Sequence, residues 1–238
     1  MSLPRNPGVR LYLAAIVSLI LVGCNSGGTA EDGKDGADVV GNAGDSKAFR
    51  FVPVNLEPNA NRPLSELAGL PTGSQTLEGV DYQIGSKLLQ LGSKGSPNFP
   101  REITGIPVGD TCQAVHFLHA SQGGGFTQPG PKHEADGVEI GRYVFHYDDG
   151  TEQALPLIYS ENLRDWWDWD GNPPTTRARL VWTGENPNAG RYGRKIRLYW
   201  TVWENPHPEK PVATIDYVSA GAKAAPFCVA MTLEQPLK

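Results

Sequence analysis

The chain has 238 residues and a formal net charge of −5, with 21 Lys and Arg against 26 Asp and Glu. This length allows one domain of ordinary to large size, and the acidic balance without a cluster of Lys and Arg argues against nucleic-acid binding. The 28 glycines and 20 prolines favour many short strands joined by turns over long helices.

Residues 1–23 have the three parts of an export signal. Arg5 and Arg10 precede an apolar run at 11–22 that is short for a membrane-spanning helix. Leu21-Val22-Gly23-Cys24 resembles the lipobox of bacterial lipoproteins, which implies cleavage before Cys24 and a lipid on its sulfur. An ordinary secretory signal is the alternative. We therefore expect an extracytoplasmic lipoprotein of the cell envelope, held at the membrane through its lipid and facing the periplasm or the exterior.

Residues 24–48 would then be the lipidated Cys24 and a linker. The stretch consists mostly of Gly, Asp, Ala and Asn, which bury too little apolar surface to fold, so we expect a flexible tether. The domain proper is predicted at 49–238. Its two cysteines, Cys112 and Cys228, lie in strand-like runs and are interpreted either as a disulfide or as two buried free thiols.

From residue 49 onward, strand-like runs alternate with turn-forming residues. Asp148-Asp149-Gly150 between two such runs predicts a tight hairpin, and a long polar loop is expected at 122–141. The pattern predicts an all-β fold, a two-sheet β-sandwich of jelly-roll type. We expect strands at 51–56, 77–84, 87–91, 103–108, 114–118, 143–147, 151–157, 177–182, 195–203, 212–219 and 227–233, and a short helix at 64–68.

Residues 158–172, IYSENLRDWWDWDGN, hold three of the six tryptophans, together with acids, an arginine and asparagines. The segments 182–187 and 203–208 repeat the combination of a tryptophan with a Glu-Asn pair. Indoles stack on apolar ring faces while Glu and Asn bond hydroxyls, so we predict that the three segments form one ligand-binding surface. The alternative is that the tryptophans are core and the Glu-Asn pairs form turns. The candidate residues are Tyr159, Glu161, Asn162, Asp165, Trp166, Trp167, Trp169, Glu185, Asn186, Trp203, Glu204 and Asn205.

Strand alternation separates these tryptophans further. In the run 195–203, Trp200 falls on the apolar face and Trp203 on the opposite face. Trp200 is therefore expected in the core and Trp203 at the binding surface. Trp166 and Trp167 are adjacent and cannot point the same way in an extended segment, so at most one of them is expected to be a stacking platform.

Several motifs occur together in one order along residues 49–236. They resemble a bacterial non-catalytic β-sandwich module, galactose-binding-domain-like and similar to carbohydrate-binding modules, of the kind found in planctomycete-type extracytoplasmic proteins. The resemblance implies sugar binding or accessory packing and transfers no catalytic residues. The motifs are Phe51-Val52-Pro53-Val54-Asn55-Leu56, Asn61-Arg62, Leu70-Pro71-Thr72-Gly73, Gly79-Val80, Phe117-Leu118-His119-Ala120, Tyr159-Ser160-Glu161-Asn162, Asp165-Trp166-Trp167, Trp203-Glu204-Asn205-Pro206 and Ala225-Pro226-Phe227.

Metal ligands are sparse in the sequence. His116 and His119 lie three apart on a predicted strand, so they point to opposite faces and are not expected to share a metal. Asp168, Asp170 and Asn172 are calcium-ligand types, but the glycine comes too early and no Glu follows at the required spacing. We expect no cofactor; a structural Ca²⁺, which domains of this resemblance often bind, stays open.

Catalysis is the alternative function. Glu161, Asp165, Glu185 and Glu204 include carboxylates of the type that a glycosidase uses, whereas nucleophile-elbow, P-loop, dinucleotide and zinc-protease motifs are absent. We therefore expect a non-catalytic module that binds carbohydrate or another envelope component. A glycoside-acting enzyme and a structural or protein-interaction subunit are the two alternatives.

Overall fold

The computed structural model describes residues 49–123, 134–169 and 173–237. The predicted signal, Cys24 and linker lie outside these ranges, as do residues 124–133 of the predicted loop and residues 170–172. The described part is an all-β fold of antiparallel sheets in a sandwich-like arrangement, which confirms the predicted fold class. No helix within it is long and apolar enough to cross a bilayer.

Thirteen strands form the described part of the chain, with one 3₁₀ turn at Leu64–Glu66 and one short helix, α1, at Pro187–Gly190. In chain order the strands are β1 (Phe49–Pro53), β2 (Arg62–Pro63), β3 (Gly73–Leu77), β4 (Val80–Ile84), β5 (Lys87–Gln90), β6 (Glu102–Asp110), β7 (Ala114–Gln122), β8 (Glu139–Tyr147), β9 (Glu152–Ile158), β10 (Arg179–Gly184), β11 (Ile196–Glu204), β12 (Val212–Ser219) and β13 (Ala225–Pro236).

Two sheets make the sandwich. The larger has the order β10-β11-β7-β13-β5-β2, with β1 pairing the part of β13 that β5 leaves open. The smaller has the order β6-β12-β8-β9. The apolar composition of 114–118 is typical of a central strand, and β7 is central in this sheet, because β11 and β13 flank it.

Aromatic side chains fill the space between the sheets. Phe145 of β8 stacks on Trp203 of β11 with ring centroids 3.5 Å apart, and Phe117 of β7 stacks on Tyr143 of β8 at 4.0 Å. Each ring comes from the inward-facing set of alternating residues on its strand. The main core therefore lies between the inner faces of β7, β8 and β11.

The other face of the large sheet is covered as well. The hairpin β3–β4 packs over β1 and β13, where Thr232 Oγ1 donates to the Asp81 carbonyl at 2.8 Å. Both faces of β7 and most of β11 are also buried. This double coverage explains why alternation alone does not separate core from surface on β11.

Turn chemistry accounts for one prediction that is confirmed and one that is wrong. Gly150, with φ of 81°, closes the predicted hairpin between β8 and β9. The single strand expected at 77–84 is instead two strands joined at Glu78-Gly79, where both residues have positive φ. Such turns favour Asn-Gly or Asp-Gly, so the Glu-Gly pair was not recognised as a hairpin turn.

Candidate binding site

The large sheet opens where β7 and β11 diverge. The two strands pair only as far as His119 of β7, and beyond it residues 164–167 lie between them, parallel to β7 and antiparallel to β11. Trp166 joins both sides: its N–H donates to the Ser121 carbonyl at 2.8 Å, and its carbonyl accepts the Arg197 N–H at 2.8 Å. The stretch that the sequence singled out is thus fixed within a gap of the sheet.

This extended segment points its two adjacent tryptophans in different directions. Trp166 is 8% exposed and meets the ring of Phe227 edge-on at 6.3 Å. Trp167 is only partly buried and lies against other aromatic rings. The two side chains therefore point in different directions, as their adjacency predicted: Trp166 packs mainly against the core and Trp167 against other aromatic rings, although both line one cavity.

Three rings form the aromatic cluster, which we define as Trp167, Trp169 and Tyr192. The Trp167 and Trp169 rings are stacked with centroids 5.1 Å apart, and Tyr192 lies 6.1 Å from the first and 5.4 Å from the second. Tyr192 is 57% exposed. A single exposed ring is common on protein surfaces, but contiguous aromatic rings that are open to solvent are typical of ligand or partner sites.

The aromatic cluster forms one side of a cavity of about 370 Å³, the site pocket. Its lining brings together β2, the 3₁₀ turn, the end of β7, the inserted segment and the loop after α1. The lining residues are Arg62, Glu66, Leu67, Gln122, Gly123, Asp165, Trp166, Trp167, Trp169 and Tyr192.

Arg62 is the cationic group of the site pocket, and its neighbours hold it in one orientation. Its Nη1 donates to Gln90 Oε1 and to Gln122 Oε1, both at 2.9 Å, and its Nε donates to Glu66 Oε2 at 3.1 Å. The guanidinium also lies over the Phe99 ring, 5.2 Å from its centroid. A guanidinium held by three acceptors and a ring is oriented before any ligand arrives.

Asp165 holds the backbone of Trp167 in place. The residue is 4% exposed, and its Oδ1 accepts the backbone N–H of Trp167 at 2.9 Å. On the other side, the Arg194 guanidinium lies 5.6 Å from the Trp169 ring centroid, and its Nη1 donates to the Asp168 carbonyl at 3.2 Å. Both ends of the tryptophan pair are therefore fixed by polar contacts.

Tyr159 and Asn162, two candidate ligand residues, are instead buried parts of the turn before the segment. The Tyr159 hydroxyl accepts the Asp165 N–H at 3.2 Å, and Asn162 Oδ1 accepts the Ile158 N–H at 2.9 Å. Ser160 between them has φ of 76°, a strained value for a residue other than glycine. These residues shape the turn, so the prediction that they contact a ligand is corrected.

In the second predicted segment, the two candidate residues Glu185 and Asn186 have different roles. Asn186 is buried and caps α1, because its Oδ1 accepts the N–H groups of Asn188 at 2.8 Å and Ala189 at 3.1 Å. Its Nδ2 donates to the Ala68 carbonyl. Glu185 is exposed and lines a separate cavity beside α1. Neither residue lines the site pocket, and the turn-forming interpretation holds for Asn186.

The third predicted segment lies at the far end of β11. Trp203 is seven residues from the strand end that meets the site, about 23 Å at the usual rise per residue, and it belongs to the core between the sheets. Asn205 accepts the Tyr147 hydroxyl and donates to the Cys112 carbonyl at 3.0 Å, whereas Glu204 is exposed. The expected single surface of three segments is therefore wrong: Trp203, Glu204 and Asn205 are not part of the site.

Cys112 and Cys228 are free, buried thiols, so the disulfide interpretation is wrong. Burial raises the pKa of both thiols to about 12. Neither thiol ionises near neutral pH, and both behave as small apolar core groups.

The two histidines of β7 face opposite ways, as predicted. His116 Nε2 lies 2.9 Å from Glu234 Oε2, and His119 Nε2 lies 3.1 Å from the Asn162 carbonyl. Burial lowers the pKa of His119 to about 3, so it is neutral at ordinary pH. Among the described residues, no group of three or more His, Cys, Asp or Glu side chains could hold a metal ion; Asp170 and Asn172 lie outside this part.

Comparison with known proteins gives no match: no protein family, no curated protein and no solved structure is similar to the chain at a significant level. Of the candidate residues, Asp165, Trp166, Trp167 and Trp169 line the site pocket. Arg62 and Tyr192 line it as well but were not among the candidates. The signal for Tyr192 was an aromatic residue in the polar loop Gly190-Arg191-Tyr192-Gly193.

Proposed function

We propose that the protein is a non-catalytic binding module for carbohydrate, held at the cell envelope by a lipid on Cys24. The observation that carries the proposal is the aromatic cluster, with the exposed Tyr192 ring, in one pocket with the oriented guanidinium of Arg62. The site pocket, about 370 Å³, falls within the range of about 300–1,000 Å³ that is usual for small-ligand sites.

A sugar ring has the two kinds of surface that this pocket offers to match. Its C–H groups form an apolar face that packs on the flat rings of Tyr192 and the tryptophans. Its hydroxyls project around the rim and need both donors and acceptors, which the guanidinium and amide groups of Arg62 and Gln122 and the carboxylate of Glu66 supply. Apolar stacking and polar bonding are thus available within one cavity.

The spacing of the rings argues against a cage for a quaternary ammonium group. Such a cation sits among aromatic faces, within about 6 Å of each ring centroid. In the aromatic cluster the centroids are only 5.1 to 6.1 Å from one another, so the rings contact each other and leave no room between them. The ligand therefore packs on the outside of the cluster, as a flat sugar face does.

The positions of the acidic residues favour binding over glycoside cleavage. Glu161, Glu185 and Glu204, three of the carboxylates considered for catalysis, do not line the site pocket. Of the two described carboxylates that do, Asp165 is buried and accepts the backbone N–H of Trp167, and Glu66 is paired with Arg62 through one of its oxygens. A glycosidase needs one of its two carboxylates to exchange a proton with substrate.

The envelope location follows from the export signal and from the lipobox-like sequence before Cys24. The resemblance of the motifs at 49–236 to extracytoplasmic sugar-binding modules supports the same proposal. A lipid at the start of the chain would leave the site free to meet extracellular or periplasmic glycans.

Titration of the purified protein with a panel of plant and algal polysaccharides tests the proposal. Because Trp167 and Trp169 line the site pocket, a bound glycan should change tryptophan fluorescence. We expect Tyr192→Ala and Trp169→Ala to weaken binding about tenfold or more, as truncation of a central contact residue does, with the melting temperature nearly unchanged. Leu180→Ala is the control, since Leu180 is also exposed but lines a different cavity.

Two results would count against the proposal. If no glycan changes the fluorescence, or if Leu180→Ala weakens binding as much as Tyr192→Ala does, the aromatic cluster is not a sugar site. Glycans that bind should also keep their chain length on prolonged incubation. Release of new reducing ends, lost in Asp165→Asn, would instead support the glycoside-acting enzyme.

A further inference from the structure

Arg62 has hydrogen-bonding capacity that the fold does not use. Its Nε and Nη1 are bonded to Glu66, Gln90 and Gln122, whereas its Nη2 donates to no residue in the described part of the chain and is not sealed from solvent. The side chain is only 11% exposed, and the residue lines the site pocket. The two N–H groups of Nη2 are therefore the donors that a ligand in this pocket can reach.

Glu66 supplies an acceptor beside this donor. Its Oε2 accepts the Arg62 Nε–H at 3.1 Å, while its Oε1 accepts from no described residue and its side chain is 54% exposed. The two residues are four apart, one on β2 and the other in the following 3₁₀ turn. Arg62 and Glu66 thus present an unused donor and an unused acceptor side by side.

The residues that hold Arg62 are themselves fixed by hydrogen bonds and packing. Gln90, which accepts from Arg62, is held by Asn61: the Gln90 N–H donates to Asn61 Oδ1 at 2.8 Å, and Asn61 Nδ2 donates to the Gln90 carbonyl at 2.9 Å. Phe99 covers the guanidinium. Little conformational freedom is left to lose when a ligand binds Arg62, which favours affinity.

The charges of the lining decide between two kinds of sugar. Among the described residues, the lining of the site pocket has one guanidinium, Arg62, and two carboxylates, Glu66 and Asp165. A uronate or sulfate group only accepts hydrogen bonds, so it could use Arg62 but would be repelled by the carboxylate of Glu66, which lies 3.1 Å from Arg62 Nε. Neighbouring hydroxyls of a neutral sugar both accept and donate, so one can accept from Nη2 while the next donates to Glu66 Oε1.

We propose that Arg62 and Glu66 bind a pair of neighbouring hydroxyls, and that the site therefore takes uncharged sugar units and excludes uronates. This inference rests on the proposed function and names its ligand class. The aromatic cluster supplies affinity through stacking, and the Arg62–Glu66 pair supplies the selection. Glu66 is the residue that sets the preference, because its charge repels an acidic ligand.

Matched glycan pairs test the inference on the purified protein. The probes are oligomers of polygalacturonate, polymannuronate and polyglucuronate, each with its carboxyl-reduced, neutral counterpart, titrated at an ionic strength of about 0.15 M, where charges beyond about 8 Å are screened. We expect at least one neutral oligomer to bind, about tenfold or more tightly than its acidic partner, a difference of about 1.4 kcal/mol.

Each outcome of this titration has a distinct meaning. Equal or tighter binding of an acidic oligomer overturns the inference while leaving the sugar-binding proposal standing. Failure of all six probes to bind overturns both. The neutral-over-acidic ratio thus separates the ligand class from the function itself.

Two variants test whether Glu66 and Arg62 set the preference for neutral sugars. Glu66→Gln keeps an acceptor for Arg62 Nε and removes the charge, so the ratio of neutral to acidic affinity should fall several-fold. Glu204→Gln is the control: Glu204 is an exposed acid away from the site, so its replacement should leave this ratio unchanged. Arg62→Lys keeps the charge but loses the oriented N–H pair, so neutral binding should weaken about tenfold. An unchanged ratio in Glu66→Gln contradicts the inference, and this test stands even if Arg62→Lys unfolds, because Glu66 is largely exposed.

Discussion

The indole N–H of Trp200, in the core, and that of Trp167, in the aromatic cluster, differ in whether they have a hydrogen-bond acceptor. In the core layer of the large sheet, the Trp200 indole N–H donates to His116 Nδ1 at 3.0 Å. In the aromatic cluster, the Trp167 indole N–H is buried and has no acceptor among the described residues, which costs about 1–3 kcal/mol. The core tryptophan therefore has its polar atom satisfied within the fold, whereas that of Trp167 is not satisfied by any described residue.

Tryptophans of the core and of the aromatic cluster look alike in sequence, since Trp203 and Trp167 each stand beside acidic or amide residues. Their neighbours in the fold separate them. Trp203 lies on a strand between two sheets and stacks on Phe145, whereas Trp167 lies on a segment that fills a gap in the sheet. The same local composition therefore gives a core residue in one place and a site residue in the other.

The largest effect that would test this comparison is on stability. Trp203→Ala should lower the free energy of unfolding by about 3–5 kcal/mol, because it removes a fully packed ring and leaves a cavity. Urea unfolding followed by circular dichroism measures the loss. Trp203→Phe keeps a ring against Phe145 and should cost less. A loss below about 1 kcal/mol in Trp203→Ala would mean that Trp203 is not core.

A pH effect of intermediate size should come from His119. Burial lowers its pKa to about 3, whereas the unfolded side chain titrates near 6.5. The unfolded state therefore binds the extra proton first, and stability falls as pH drops from about 6.5 towards 3. Between pH 7 and pH 5 the contribution of His119 is about 2 kcal/mol.

His119→Asn serves as the comparison for that titration. The variant will be less stable at neutral pH, because buried bonds to the His119 ring are lost, but its free energy of unfolding should change less between pH 7 and pH 5. Chemical denaturation at each pH gives both slopes. Parallel slopes for the two proteins would show that the His119 pKa is not lowered in the folded state.

The smallest stability effect should come from the site. Tyr192 is exposed and carries little of the fold, so Tyr192→Ala should change the free energy of unfolding by no more than about 0.5 kcal/mol, although it weakens ligand binding. The same urea experiment measures it beside Trp203→Ala. A loss near 2 kcal/mol would place Tyr192 in the core set and remove the distinction between the two groups of aromatic residues.

Local sequence signals were enough for much of the fold and for the centre of the site. Gly150 marked a hairpin, the apolar run of β7 marked a central strand, and residues 158–172 marked the segment that carries Trp167 and Trp169. The adjacency of Trp166 and Trp167 also indicated that their side chains point in different directions. Each of these signals depends on neighbours in the chain, which one sequence displays.

The missed features depend on contacts between distant parts of the chain. Trp203 was placed on the correct side of its strand, but the sequence did not show that a second sheet covers that side. Arg62 reaches the site only because β2, β5 and β7 bring Gln90 and Gln122 to it. Asn205 and Asn186 were taken for ligand residues because a buried cap and a surface amide have the same local pattern.

The central position of β13 has a consequence for how the domain is made. This strand pairs with β7 along one side and with β5 and β1 along the other, so that Phe49 lies opposite Pro236. Among the described strands it is also the last to leave the ribosome. Until then, one edge of each of β1, β5 and β7 has no partner, and exposed strand edges invite aggregation. The large sheet can therefore close only after β13 has been made, and a chain shortened before β13 would leave β7 without its partner on one side.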